Sequence, residues 1–311
     1  MAINLAQIEA LLRPGLAKVE GEYKNIPTQY RKVFKVKQST QTIERTAHMA
    51  YMGLAQLKQE GGATPFDNAA GQRWVYNAET FEVGLGVAFT RKAIRDNLYK
   101  GSFNPTQFQS AAMGLPKAFK EFWEVQSFSV LNTGTTFDAN VVGDGQALFS
   151  TAHPVDNATW ANRFSTDLDL NESSLIQAIK NIRTNWVDER GNKIMGRPKE
   201  TEPLLVPIHL MDVAERITKT ELRPGTANND VNALRSMEGG IKGYMACDYL
   251  TSNFAWFVLT QNDGLTFWER DPFETDMWVD NSTDNLLVKG YQRAQPTHDN
   301  ARAGYGSFPS A

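Results

Sequence analysis

The sequence predicts an α+β fold, and three observations predict it. The stretch NPTQFQSAAMGLPKAFKEFWEVQSFSVLN, Asn104 to Asn132, carries an apolar stripe at helical spacing. The stretch Phe81 to Phe89 alternates with period two, as a half-buried strand does. The elements follow one another as strand, long helix, turn-rich patch, helix, strand, helix, strands. That order lacks the regular crossovers of a doubly wound parallel sheet.

In the long helix, Phe108, Ala112, Leu115, Phe119 and Phe122 recur at steps of four and three and share one side. Lys117, Ala118, Lys120, Glu121 and Glu124 favour helix. Gly114 weakens it, and Pro116 lacks an N–H and biases Leu115 away from helical angles. The expectation is one kinked helix, or a turn and then a regular helix from about Pro116. A continuous rod of roughly 25 residues would be about 38 Å long and would have to carry other layers against it.

Ahead of it, NLAQIEALL (4–12) reads as a short amphipathic helix ended by Arg13-Pro14-Gly15. Residues 16–40 hold apolar anchors, Tyr23, Tyr30, Val33, Phe34 and Val36, without a period. They read either as an arm laid over another surface or as a loop packed on its own domain. Residues 43–59 are ambiguous between helix and irregular strand, and Gly61-Gly62 with TPFDNAAGQ punctuates the chain. Phe81, Val83, Leu85, Val87 and Phe89 then form the strand's apolar face, while Gly84 and Gly86 leave the other nearly bare. Residues 50–90 together suggest a long two-stranded projection, which is marginal alone in water and needs a neighbour. Thr90 to Leu98 reads as a short helix leading into the long one.

Beyond the long helix, residues 171–187 form a second helix with Leu175, Ile179, Ile182 and Trp186 inward and Asn171 or Ser173 as cap. LLVPIHL (204–210) is a short buried strand interrupted or ended by Pro207. A third helix spans 210–219, with Leu210, Val213, Ala214 and Ile217 inward. The runs at 239–246, 254–259 and 265–269, with the Asp263-Gly264 turn, suggest a small antiparallel meander. LLVKGY (286–291) is one more strand.

Composition excludes several classes. At 311 residues the chain can bury a sizeable core. A net charge of -3 argues against a nucleic-acid binder that works through a basic surface. One cysteine, Cys247, excludes a disulfide framework and cysteine metal clusters, and reads as a buried thiol. No run approaches a membrane span, and the start does not resemble a signal peptide, so a cytoplasmic site is expected.

Catalytic and ligand patterns are absent as well. None of His48, His153, His209 and His298 stands at the spacing of a helical metal motif. His153 and Asp156 lie in STAHPVD, where distant residues could join them in a ligand site; His153, beside Pro154, reads rather as a turn residue bonding locally. Ser150, Ser165 and Ser252 lie in no nucleophile-elbow pattern. Gly143-Asp144-Gly145 lacks the lysine and following helix of a phosphate loop. The pairs Asp167/Asp169 and Asp276/Asp280 read as solvated acids. The basic clusters Arg31, Lys32, Lys35, Lys37 and Arg91, Lys92, Arg95 would face nucleic acid or pair with carboxylates of adjacent subunits. No enzyme, cofactor or metal site is predicted.

At DGQALFSTAHP (144–154) the sequence resembles the major capsid proteins of tailed bacteriophages with the Hong Kong 97-type fold, in the branch of Mu-like major head subunits. FEVGLGVAFTRKAIRDNLY (81–99), LIQAIKNIRTNWVDERGNKI (175–194), EPLLVPIHLMDVAERI (202–217), CDYLTSNFAWFVL (247–259) and RAQPTHDNARAGYGSF (293–308) support it in order and spacing.

The resemblance implies a long spine helix, peripheral and axial domains, an extended two-stranded loop and an N-terminal arm. The arm would be 1–40, the extended loop region 41–92, the peripheral domain with the spine 93–149 and the axial domain 150–275. Residues 276–311 would return to the peripheral domain and form the tail. It implies a homo-oligomer of pentamers and hexamers enclosing double-stranded DNA, without sequence-specific binding and without a membrane. A separate scaffolding protein, expected from the short stretch between Met1 and the loop, a portal and a decoration protein would be partners. The location would be the virion capsid, assembled in the host bacterial cytoplasm. Alternatives are a cellular encapsulating shell of the same fold, another virion assembly protein, or more remotely an enzyme of unknown class.

Overall fold

The computed structural model describes residues 20–21, 23–50, 52–67, 71–90, 92, 114–156, 158–194, 196–221 and 231–310. The spine helix, α2, runs Gly114–Asn132, after a short α1 at Tyr30–Val33. Pro116 sits in the first turn of α2, where its missing N–H belongs to the set that has no intrahelical partner anyway. Of the expected stripe, Leu115 and Phe119 are buried and Phe122 is half-buried; Phe108 and Ala112 lie outside the described residues. The inward face also includes Trp123, Phe128 and Leu131, together with the polar Lys120, Glu124 and Ser127.

Two four-stranded sheets carry the core. The first has the order β1-β11-β12-β4, where β1 is Lys35–Gln38, β4 Phe81–Phe89, β11 Leu265–Val279 and β12 Leu286–His298. Its centre is the long β11–β12 hairpin, closed by Asp280, whose carboxylate accepts the Ser282 and Thr283 hydroxyls. The spine helix packs on this sheet. Leu115 and Phe119 join Phe273, Met277, Leu286 and Val288 at one end, and Trp123 and Phe128 join Phe267 and Ala294 at the other.

The second sheet has the order β13-β10-β8-β9, formed by Gly304–Ser307, Trp256–Leu259, Leu204–Pro207 and Tyr244–Cys247. β8 and β10 are buried on both faces, which explains their uninterrupted apolar runs. One face, with Leu204, Val206, Trp256, Val258 and Tyr305, packs on helix α3 (Glu172–Asn185) and helix α4 (Met211–Lys219). The other, with Leu205, Phe257, Met245 and Cys247, shares a cluster with Trp123 and Phe128 of the spine. Asn171 caps α3: its side chain accepts the Ser174 N–H, while the Ser174 hydroxyl accepts the Asn171 N–H.

Several expectations are corrected. The meander does not form. β9 and β10 flank β8 rather than each other, and β11 leaves for the first sheet. The Asp263-Gly264 turn is instead the corner between sheets. A Cβ at Gly264 would lie 2.4 Å from the Asn300 carbonyl oxygen, so this corner requires glycine. β11 starts at Leu265, and β13 pairs with β10.

The projection is also drawn differently. Residues 43–59 begin as strand β2 (Ile43–Ala50), which pairs antiparallel with β3 (Gly71–Glu79) to form the ribbon; the short β5 (Val142–Gly143) adds to β3, and β6 (His153–Val155) pairs with β7 (Ala158–Trp160). The strand Phe81–Phe89 is not part of the ribbon. It pairs along its whole length with β12 and forms an edge of the first sheet. There Phe81, Val83, Val87 and Phe89 are half-buried, and Leu85 is 47% exposed.

Candidate assembly surfaces

No catalytic centre emerges among the described residues. Among the described residues, no three His, Cys, Asp or Glu side chains are grouped to hold a metal ion, and no helix is long and apolar enough to cross a membrane. Cys247 is buried, and burial pushes its thiol up to about 12, which leaves it unreactive near neutral pH. His153 is fully buried, whereas His209 is exposed on the turn Ile208–Leu210. The acids expected to be solvated are partly engaged. Asp167 pairs with Arg163, and Asp276 lies 3.6 Å from Lys289.

The ribbon carries the most conspicuous surface. Between its strands, residues 52–67 run as an irregular extension that turns at Gly61 (φ 77°). Met52, Leu54, Leu57 and Phe66 on this extension are 74%, 81%, 104% and 87% exposed. Four large apolar side chains so exposed, on a segment without its own core, mark a surface that needs cover. The extension is held by Asp67, which accepts the Gly53 N–H at 2.6 Å and pairs with Arg190.

The segment expected as an arm lies, from Tyr23 to Gln38, on its own subunit. Tyr23 stacks on Phe273 at 4.5 Å, and its hydroxyl donates to Gln292 Oε1 at 2.8 Å. Trp123 Nε1 of the spine donates to the same oxygen, also at 2.8 Å. Tyr30 and Phe34 are buried against Phe267 and Phe128. β1 then adds in parallel to β11.

Within the subunit, three of the expected basic contacts meet carboxylates of the same chain. Lys32 pairs with Glu202 at 3.3 Å, Lys35 with Asp263 at 2.5 Å and Lys37 with Asp299 at 3.0 Å, while Arg31 lies over the Tyr30 ring. Lys92 is exposed, and Arg91 and Arg95 lie outside the described residues.

The ribbon base is fixed by a polar network that the sequence did not disclose. His153 Nδ1 meets Asp144 Oδ2 at 2.7 Å, not Asp156, and its Nε2 meets Asn162 Oδ1 at 3.1 Å. Asp156 instead pairs with Arg73 of β3. His153 stacks on Trp160, over which the Arg302 guanidinium also lies, at 4.8 Å from the ring centroid. Arg302 donates to Glu189 Oε1 at 2.8 Å, and Glu189 faces His48 of β2 at 3.6 Å. Tyr76 of β3 contacts both His48 and His298 edge-on. Beside Tyr76 the backbone of Val142 has φ 65°, an unusual angle for a β-branched residue. Gly143 follows at φ 58°, where a Cβ would strike the Tyr76 ring at 2.2 Å. The glycine seen in Gly143-Asp144-Gly145 thus admits Tyr76 rather than a phosphate.

A spine helix across a hairpin sheet, a second sheet with its own helices, and a ribbon ending in uncovered apolar side chains define a protein built to assemble. A family model of phage capsid proteins matches residues 76–307, and the chain belongs to that family. No curated protein shows a significant sequence match. Among solved structures, the virus-like particle from Pyrococcus furiosus matches 94% of this chain and 98% of its own at 8% identity, with a TM-score of 0.54. Microbacterium phage Oxtober96 matches 99% and 98% at 11% identity and a TM-score of 0.50. The bacteriophage JBD30 capsid matches 92% of this chain at 14% identity and a TM-score of 0.48, and this chain spans 66% of that one. The fold is the Hong Kong 97-like capsid fold, a mixed helix and strand architecture without a closed barrel. The protein is a capsid shell subunit of a bacteriophage type, and its family is structural rather than enzymatic.

Proposed function

We propose that this chain is the major capsid subunit of a tailed-phage head and closes into pentamers and hexamers around double-stranded DNA. The uncovered apolar extension of the ribbon carries this reading. Met52, Leu54, Leu57 and Phe66 find no core in their own subunit, and a second copy supplies one when heterologous contacts repeat around a ring. The stretches at 81–99, 144–154 and 293–308 support placement with Mu-like major head subunits. A scaffolding protein, a portal and a decoration protein are the partners this reading entails, with assembly in the bacterial cytoplasm. The DNA contact is non-specific, in keeping with the net charge of -3.

Electron microscopy of the purified protein, with and without a co-expressed scaffolding partner, tests the reading. Icosahedral shells or isolated pentamers and hexamers are expected. A protein that stays monomeric in both conditions overturns it. The fold likeness to the Pyrococcus furiosus virus-like particle supports a second reading, a shell around protein cargo. Purified particles that hold a single enzyme and no DNA would favour that one.

A further inference from the structure

Three of the chain's four histidines, His48, His153 and His298, meet around Tyr76 and Asp144 at the ribbon base. Only His48 belongs to the ribbon itself. Its Nε2 lies 2.6 Å from the Asp299 carbonyl oxygen. A carbonyl only accepts, so Nε2 carries a proton. Its Nδ1 faces Glu189 Oε1 at 3.6 Å, an ion-pair distance. Burial raises the Glu189 carboxyl, but His48 and Arg302 outweigh that and hold it at about 2, so it is a carboxylate across the neutral range. A neutral ring with its proton on Nε2 would aim a lone pair at this carboxylate. A ring protonated at both nitrogens satisfies both neighbours.

We propose that His48 is a protonation-controlled latch. As an imidazolium it fastens β2 to Glu189 and to the chain at Asp299; on losing the Nδ1 proton it frees the ribbon to change its angle to the body.

The surroundings favour this residue over its neighbours. Arg302 is the cation nearest Glu189, and its charge opposes that of His48 without displacing it. The Asp299 carboxylate is engaged by Lys37 and the Thr266 hydroxyl, so only its carbonyl serves His48. Asp144 is bound to His153 within the body, and the Asp138 charge bears on His298. Burial holds His298 down to about 4, so it stays neutral through the window in which His48 titrates. The pairs Arg73–Asp156 and Asp67–Arg190 tie the ribbon at other points, so loss of the His48 contact loosens the ribbon rather than detaching it. The left-handed backbone at Val142, paired with Tyr76 of β3, stores strain beside the same joint.

The facing Glu189 carboxylate raises His48 above the ordinary imidazole range, against burial and the Arg302 charge. A raised folded-state value makes the latch complete below about pH 6.5, and it is lost as pH rises through that raised value.

Hydrogen exchange of the full-length protein tests the latch. Protection of peptides from 43–50 and 71–79 is compared with β10, after correction for the intrinsic pH dependence of exchange. In the wild type, ribbon protection is expected to fall between about pH 6 and about pH 9, as His48 loses its Nδ1 proton. In His48→Gln it is expected to be low and flat. A flat wild-type profile, or a pH response retained in His48→Gln, overturns the proposal. Nitrogen NMR of the wild-type imidazoles keeps the test decisive if the variant fails to fold. His48 protonated at both nitrogens below about pH 6.5 supports the latch, and a single Nε2–H tautomer there overturns it. Neither readout depends on shell formation.

Discussion

The Glu124 carboxylate on the spine helix accepts the backbone N–H of Tyr30 at 2.9 Å, and its other oxygen accepts that of Gln29 at 2.5 Å. The spine thereby caps α1 and binds the N-terminal segment to the body. Glu124→Ala leaves two donors without partners in a buried joint. A loss of about 2–3 kcal/mol is expected, measured by chemical denaturation, with Glu124→Gln losing about 1 kcal/mol.

The same joint separates two truncations. Removing residues 1–35 deletes Tyr23, Tyr30 and Phe34 from the core, and the body is expected to unfold or aggregate. Removing residues 1–19 spares all three. If the first residues clamp neighbouring copies, this shorter deletion yields folded subunits that no longer sediment as shells. Normal shells from it would sink the clamp.

Lys120 is buried beneath Tyr23, its ammonium 4.1 Å from the ring centroid. Burial, and then the Arg31 charge, lower it to about 8. Between about 8 and its unfolded value near 10.5 the unfolded chain binds more protons than the folded one, so this group makes stability rise with pH there. Lys120→Met removes that dependence. Its stability relative to the wild type should therefore fall by on the order of 1–3 kcal/mol as pH is raised from about 7 to about 10, read from denaturation curves at each pH.

Phe119 packs on Phe273 with ring centroids 5.0 Å apart and is buried. Phe119→Ala should destabilise the subunit by about 3–5 kcal/mol. An unchanged midpoint would show that the spine does not bear on the hairpin at this level.

The ribbon extension should behave in the opposite way. The double change Leu54→Asp and Leu57→Asp alters exposed side chains only, so subunit stability should move by no more than about 0.5 kcal/mol. Shell yield in sedimentation should collapse, because two charges enter the surface that a second copy covers. Shells at wild-type yield would remove the extension from the interface.

Periodicity made much of the architecture legible. The period-two pattern at 81–89 and the apolar runs of β8 and β10 are local signals, and so is the cap at Asn171. The site was less legible. The lysines at 32, 35 and 37 have their carboxylates at 202, 263 and 299, and no spacing in the chain announces such pairs. Trp123 was invisible as a hub because its partner, Gln292, lies 169 residues away.

By itself the sequence determined the α+β class, the spine helix, the main apolar strands and the resemblance to capsid subunits, because these follow from side chains at short, regular intervals. Only the tertiary structure decided strand partners. It took Phe81–Phe89 out of the ribbon and placed it beside β12, folded the N-terminal segment onto its own spine, and gathered three histidines at one joint. A strand's hydrogen bonds and a histidine's neighbours depend on which distant segments come together, and local patterns do not encode that choice.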